Sequence, residues 1–108
     1  MTFDDYQAAA ARTINSALDG KERLLDAAAG LAEESGEILG LVRKHAFQSR
    51  GLDPETLKIE FGDALWCLAM TAKSAGLALD DVAAANVAKL VARYPQGYSD
   101  EASRERRA

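Results

Sequence analysis

Four acidic side chains form two short motifs in the middle of the chain. Glu34 and Glu37 make an E-x-x-E pair, and Glu60 and Asp63 make an E-x-x-D pair. Residues three apart share one face of a helix, so each pair points in one direction. Two antiparallel helices could bring all four carboxylates together. Because like charges repel, such a cluster indicates bound divalent cations, and oxygen ligands suit Mg²⁺.

The second pair is the more informative of the two. On a helical wheel, Glu60 lies opposite the solvated face of its helix, among apolar neighbours. A carboxylate in such a place needs a basic partner, a raised pKa or a cation, because desolvation disfavours its charge. Buried salt bridges therefore remain an alternative explanation. The first pair alone would be weak, since E-x-x-E occurs by chance on many solvated helices.

Other kinds of metal site are excluded by composition. The chain has one cysteine, Cys67, and one histidine, His45, which is too few for a Cys/His zinc site. A ferritin-like di-iron site needs Glu-x-x-His pairs, and His45 does not follow any of these glutamates by three residues. Any metal here must be bound through oxygen. A lone cysteine cannot form an internal disulfide, which fits a reducing cytoplasm.

Length and charge limit the function classes. With 108 residues we expect one domain over the whole chain, and association of copies is plausible because a domain this small buries only about two-thirds of its unfolded surface. A net charge of −4 argues against a nucleic-acid polymer as partner. The N-terminus lacks the apolar core of a secretory signal, and no apolar run approaches the ~20 residues that span a membrane. We therefore expect a cytoplasmic protein without a membrane partner.

Start and stop signals predict four helices and no strands. The second helix is the longest, and Asp53-Pro54 and Asp80 are taken as starts of the third and fourth. Residues 95–108 are polar and are expected to form an arm or tail. Short connections favour an antiparallel bundle of about four helices. The predicted helices run from Phe3 to about Asp19-Gly20, from Lys21 to about Phe47, from Pro54 to about Ser74, and from Asp80 to Tyr94-Pro95.

An apolar stripe is predicted along the second helix, with the acidic residues beside it. Glu34 lies at its edge, Glu37 just outside it and Glu33 further round. The stripe contains Leu24, Ala28, Leu31, Ile38, Leu39 and Val42. On the fourth helix, Asn86, Lys89 and Arg93 share one face, and Asn86 is expected to be buried among Val82, Ala83 and Leu90.

Three segments together resemble a known family. LAEESGEILG (31–40), EFGDALWCLA (60–69) and NVAKLVARYPQGYS (86–99) are similar, in the same order, to the signature blocks of MazG-like proteins. These belong to the all-α nucleoside triphosphate pyrophosphohydrolase superfamily. The resemblance covers roughly residues 24–99. It implies Mg²⁺- or Mn²⁺-dependent hydrolysis of nucleoside triphosphates to monophosphate and pyrophosphate, and assembly of the chain as a homodimer or homotetramer.

Roles for individual residues follow from this resemblance. Glu34, Glu37, Glu60 and Asp63 would be the metal ligands, and Glu33 occupies the position of the base that orients the attacking water in some relatives. An outer-sphere ligand is an alternative role for Glu33. Asn86 would contact the sugar or a phosphate, and Lys89 and Arg93 would bind the polyphosphate, unless they are ordinary surface charges. Lys44, two turns beyond Glu37, is a further phosphate candidate.

Two other function classes remain open at the level of sequence. One is a catalytically silent bundle that binds nucleotides through the same metal site, and the other is a structural oligomerisation module whose carboxylates form salt bridges. Trp66 could stack on a base, although an aromatic side chain on so apolar a helix is more often part of the core. His45 is expected to be structural or solvent-exposed.

Overall fold

The computed structural model describes residues 1–105. Within this range the chain is all-α, as predicted, and no β-strand is present. None of the described helices combines the length and the apolar character that crossing a membrane requires. The helices are α1 (Phe3–Ala11), α2 (Gly20–Gln48), α3 (Pro54–Ser74), α4 (Leu79–Arg93) and α5 (Asp100–Arg104).

The antiparallel pair of α2 and α3 forms the main helix interface of the chain. Asp19 caps α2 in a reciprocal capping box with Glu22, and Asp53 caps α3, where Pro54 occupies the first turn. The α2 helix ends where Ser49 adopts a left-handed conformation with φ of 52°. A short loop then returns the chain along α2, as the sequence predicted.

The α2 and α3 helices pack closely at Gly30. A Cβ atom at this position would lie only 2.9 Å from the Sγ atom of Cys67. Because the helices are antiparallel, a step forward along α2 corresponds to a step back along α3. Glu34 lies four residues after Gly30, and Asp63 lies four residues before Cys67, so these two residues are at the same level of the helix pair. By the same count, Glu37 is level with Glu60.

The other helices are held to this pair by a small core and one buried amide. The side chain of Gln7 donates from Nε2 to the carbonyls of Ala69 and Leu77, both at 3.1 Å, and its Oε1 accepts from the backbone N–H of Leu79 at 3.2 Å. Gln7 thus joins α1 to α3 and to the start of α4. The buried apolar residues are Ala10, Ala27, Cys67, Ala69, Met70, Ala72 and Leu79.

The first helix is shorter than predicted. It ends at Ala11, not near Asp19-Gly20. The reason is local hydrogen bonding by polar side chains that compete with helix. Thr13 donates from its hydroxyl to the Ala10 carbonyl at 2.7 Å, and Asn15 Oδ1 accepts from the N–H of Ala17 at 3.0 Å.

The predicted cap of the fourth helix is also wrong. Asp80 lies inside α4, whose N-cap is Ala78, a residue with no capping side chain. Side chains of α1 accept hydrogen bonds from free N–H groups in the first turn of α4 instead. Asp4 Oδ1 accepts from the N–H of Asp80 at 2.9 Å, and Gln7 accepts from Leu79. A cap supplied by a distant helix leaves no local sequence signal.

The predicted burial of Asn86 is wrong, and the predicted tail is partly ordered. Asn86 is exposed although it lies on the same helical face as Leu79 and Val82, because the later turns of α4 are uncovered and Val87, Leu90 and Val91 are exposed as well. In the predicted stripe of α2, Leu31 and Ile38 are partly buried, whereas Leu24, Ala28, Leu39 and Val42 are exposed. Ser99 caps the short helix α5 within the predicted arm. Residues 106–108 of that arm lie outside the described residues. Extension of one domain over the whole chain stays a prediction.

Replacement of Gly30 tests the contact that sets the helix register. Gly30→Ala adds a methyl group against Cys67, and overpacking costs about 1–3 kcal/mol. The gain in helix propensity is only about 1 kcal/mol. We expect a net loss of about 1 kcal/mol in the free energy of unfolding, measured by urea denaturation.

Gly62→Ala on α3 is the matched control, because nothing lies within 4 Å of a Cβ there. It should raise the free energy of unfolding by about 0.5–1 kcal/mol. In the Cys67→Ala background, Gly30→Ala should cease to be destabilising. Equal stabilisation by Gly30→Ala and Gly62→Ala in the wild-type background would contradict the close contact.

Candidate metal centre

Three glutamates from α2 and α3 converge on one point. Glu34, Glu37 and Glu60 each place a carboxylate oxygen within 4.8 Å of those of the other two. The helix register accounts for this convergence, because the two motifs lie level with each other on neighbouring helices. The structure thus brings together three of the four predicted ligands as a compact group.

Two oxygens of this group are buried without compensation. Oε2 of Glu34 and Oε2 of Glu60 are inaccessible to solvent, and neither has a hydrogen-bond partner within residues 1–105. Removing a carboxylate oxygen from water without a partner is unfavourable. In the described residues no Lys or Arg forms a salt bridge with the group. The buried salt bridge that sequence left open is therefore not seen, and the donor set fits a hard divalent cation.

Electrostatics within the group favour protonation when no cation is bound. Burial and the charges of Glu37 and Asp63 raise the pKa of Glu34 to about 7. Close approach of Glu37, together with burial, raises the pKa of Glu60. Neutralisation by a proton and neutralisation by a cation are thus alternatives at the same oxygens.

Asp63 lies beside the compact group. Its side chain is exposed, and its charge contributes to the raised pKa values of both Glu34 and Glu60. Tyr6 of α1 is a neighbour that the sequence analysis missed. Burial, followed by the charge of Asp63, raises the pKa of the Tyr6 hydroxyl. The only available signal was an aromatic residue one turn after the first helix cap.

Comparison with known protein families agrees with this geometry. The family model of the MazG nucleotide pyrophosphohydrolase domain matches residues 23–98, which include both acidic motifs and most of α4. The chain belongs to the MazG family. No match was found among curated proteins or among solved structures. The family resemblance inferred from the three sequence blocks is confirmed, and divalent metals are typical of MazG domains.

The candidate base of this MazG domain lies next to the acidic group on α2. Glu33 is exposed, and its charge contributes to the raised pKa of the Cys67 thiol, behind burial and the charges of Glu34 and Asp63. Glu33 therefore lies close enough to α3 to act electrostatically on it. Its role as base stays a prediction.

The predicted phosphate-binding residues lie elsewhere in the chain. Lys89 and Arg93 line an open cleft of about 870 Å³ between the end of α4 and the C-terminal segment, which Tyr98 also lines. None of the residues that line this cleft belongs to the acidic group. The α4 helix packs mainly on α1 and α3. Lys44 is exposed near the end of α2.

Two further side chains have structural partners. Trp66 packs against the core and donates from Nε1 to the Thr13 hydroxyl at 2.8 Å. The expectation that Trp66 belongs to the core is confirmed. His45 is exposed, and its Nδ1 donates to the Arg50 carbonyl at 2.7 Å at the end of α2. This agrees with a structural or exposed histidine.

The raised pKa of Glu34 predicts how pH and Mg²⁺ act on stability. A folded-state pKa of about 7, above the usual 4.5, means that Glu34 stabilises the metal-free fold fully below about pH 4.5. This contribution is lost as the pH rises through 7. Mg²⁺ requires the ionised form and stabilises the fold by mass action. We therefore expect the Mg²⁺-induced rise in Tm to be larger at pH 8 than at pH 5.5.

Glu34→Gln should remove most of the Mg²⁺ effect and flatten the pH dependence of the metal-free Tm. Glu55→Gln is the control, since Glu55 is exposed and its salt bridge to Lys58 is a surface pair. A Mg²⁺ effect that persists unchanged in Glu34→Gln would exclude Glu34 as a ligand.

Proposed function

We propose that this MazG domain hydrolyses (deoxy)nucleoside triphosphates to the monophosphate and pyrophosphate, with Mg²⁺ or Mn²⁺ held by Glu34, Glu37, Glu60 and Asp63. The observation that carries the proposal is the pair of buried, unpartnered carboxylate oxygens in a group of three convergent glutamates. A structural module would not need this arrangement, because the burial of unpartnered carboxylate oxygens destabilises the fold. A cation bound by these oxygens would offset the cost of their desolvation.

In the proposed centre, the cations would bind the phosphate oxygens of the substrate as well as the carboxylates. Bound divalent cations would polarise phosphate oxygens, activate water and neutralise the pyrophosphate leaving group. A triphosphate is polyanionic and could not approach four carboxylates of a chain with net charge −4 in the absence of cations. The cluster of negative charge therefore supports a requirement for cations if a triphosphate is the substrate.

The chain's own groups have separate roles in the proposal. Glu33 lies one residue from a ligand, exposed to water, and would accept the proton of the water that attacks the α-phosphorus. Lys89, Arg93 and Lys44 would bind phosphate oxygens, and the exposed amide of Asn86 would contact the sugar or a phosphate. The role that we propose for the reaction is removal of unwanted nucleotides from the cytoplasmic pool.

Ligand variants test the metal site by activity. Glu60→Gln and Asp63→Ala should abolish pyrophosphate release and weaken Mg²⁺ binding, because each removes a negatively charged ligand. Turnover would be measured with a panel of canonical and damaged nucleoside triphosphates, with Mg²⁺ and Mn²⁺ in parallel. Glu55→Gln, on the same helix as Glu60, should retain full activity. Near-native turnover in Asp63→Ala would show that Asp63 is not a ligand.

A substitution at Glu33 tests the proposed base. Glu33→Gln retains the size of the side chain but cannot accept a proton, so the rate should fall by about 10²–10⁴. Mg²⁺ and nucleotide affinity, measured by calorimetry, should change little. A large loss of Mg²⁺ affinity would make Glu33 a ligand instead.

Isotope labelling locates the bond that breaks. Attack of water on the α-phosphorus transfers the water oxygen to the monophosphate. In ¹⁸O-labelled water, mass spectrometry should find the label in the nucleoside monophosphate, and pyrophosphate should be unlabelled. Orthophosphate as the first product, or label in pyrophosphate, would contradict the mechanism. Mg²⁺ binding without turnover of any tested nucleotide would instead indicate a nucleotide-binding protein that has no hydrolase activity.

A further inference from the structure

The first helix lies outside the part of the chain that the family model matches. That match begins at residue 23, whereas α1 covers Phe3–Ala11. Membership of the MazG family therefore assigns no role to any side chain of α1. Yet α1 packs on α3, the helix that contains Glu60 and Asp63. A side chain of α1 that is directed at Asp63 would also be close to a substrate at the candidate metal centre.

One face of α1 packs on the face of α3 that includes Asp63. Tyr6, Ala10 and Thr13 follow each other at intervals of four and three residues, so they share a face of α1 and of the turn after it. Ala10 is part of the buried core cluster, and Tyr6 and Trp66 pack against this cluster. Thr13 accepts a hydrogen bond from Trp66 Nε1 at 2.8 Å. Since Asp63 precedes Trp66 by three residues, it lies on the face of α3 that α1 contacts.

The backbone around Tyr6 is firmly attached to the rest of the bundle. A reciprocal capping box between Thr2 and Asp5 begins α1 immediately before Tyr6. The next residue, Gln7, makes three hydrogen bonds to backbone groups of α3, of the turn after α3 and of α4. A side chain on such a helix is held in position before a ligand binds, which lowers the cost of ordering it.

The hydroxyl of Tyr6 has no acceptor of its own. It is accessible to solvent and makes no hydrogen bond to residues 1–105. Hydroxyls of partly buried tyrosines usually have a partner. Burial, followed by the charge of Asp63, raises the pKa of this hydroxyl, which therefore stays protonated and is a donor. Because Asp63 is a proposed cation ligand, the acceptor that fits is an oxygen of the molecule that the cations bind.

We propose that the Tyr6 hydroxyl donates a hydrogen bond to a non-bridging oxygen of the α-phosphate of the substrate. This inference rests on the proposed function, which places the α-phosphate against the cations and therefore beside Asp63. Hydrogen bonds to charged phosphate oxygens are stronger than those between neutral groups. A neutral donor at this place stabilises the charge that develops around the phosphorus when water attacks, and it competes with no cation for the carboxylates.

Removal of the hydroxyl alone tests this contact by kinetics. Tyr6→Phe keeps the aromatic ring and its packing against the core. We expect kcat and kcat/KM to fall together by about 10²-fold, with KM unchanged, because the donor acts mainly in the transition state. The free energy of unfolding in urea and the affinity for Mg²⁺ should remain those of the wild type.

Thr13→Val is the matched control, because it removes a second hydroxyl from the same interface between α1 and α3. This hydroxyl has a structural partner, Trp66, and its loss leaves the indole N–H without an acceptor. Thr13→Val should therefore lower the free energy of unfolding and leave kcat unchanged, which is the opposite pattern. If Tyr6→Phe behaves like Thr13→Val, the role of Tyr6 is structural and the inference is wrong.

A second measurement does not depend on turnover. The chain has three tyrosines, so protein that contains 3-fluorotyrosine should give a simple ¹⁹F NMR spectrum, in which Tyr6 is identified by its absence from Tyr6→Phe. The probes are deoxynucleoside triphosphates with a methylene group between the α- and β-phosphorus atoms, added to the Mg²⁺-loaded protein. We expect them to shift the Tyr6 signal.

The two measurements separate this inference from the proposed function. A shifted Tyr6 signal in a protein that hydrolyses no nucleotide would contradict the proposed hydrolysis and still support the Tyr6 contact. An unshifted Tyr6 signal, or an unchanged kcat of Tyr6→Phe in an active enzyme, would overturn the inference and leave the proposed hydrolysis standing.

Discussion

The contact between Gly30 and Cys67 is the constraint on which the candidate site depends. With no side chain on Gly30, α2 and α3 approach closely one turn away from the acidic residues on each helix. This contact fixes the register, so that the two acidic motifs lie level with each other. A shift of one residue on either helix would rotate its carboxylates by about 100° and separate them. The packing of the Cys67 side chain against the backbone of Gly30 therefore determines whether Glu34, Glu37 and Glu60 can share a cation.

That same arrangement makes the metal-free fold less stable than it could be. Like charges are held together, two carboxylate oxygens are buried without partners, and the pKa of Glu34 rises to about 7 as a result. In the proposed site, the free energy of cation binding would offset this cost and couple cation binding to folding. The core of the chain is small and rich in alanine, so its burial contributes little stability that could offset the cost instead.

The sequence predicted those features that depend on short-range chemistry. The start of α3 follows from Asp53-Pro54, and the acidic group follows from spacing on two neighbouring helices. Asp19-Gly20 was predicted to end the first helix, whereas Asp19 caps the start of α2. Other errors are at places where a distant residue acts. The start of α4 is capped by Asp4 and Gln7 from α1, so Asp80 was the wrong cap. The position of Tyr6 beside Asp63 likewise depends on how α1 packs, which no local pattern shows.

The exposure of most of the predicted apolar stripe of α2 has a general physical cause. Of the predicted apolar stripe, Leu31 and Ile38 are partly buried, whereas the other four residues are exposed, Leu39 at 66%. Hydrophobic periodicity measures which residues are apolar on one side of a helix, but it does not show which other elements pack against that side. The burial of an apolar residue on α2 thus depends on the placement of α3, which lies against the face that contains Gly30 and Glu34.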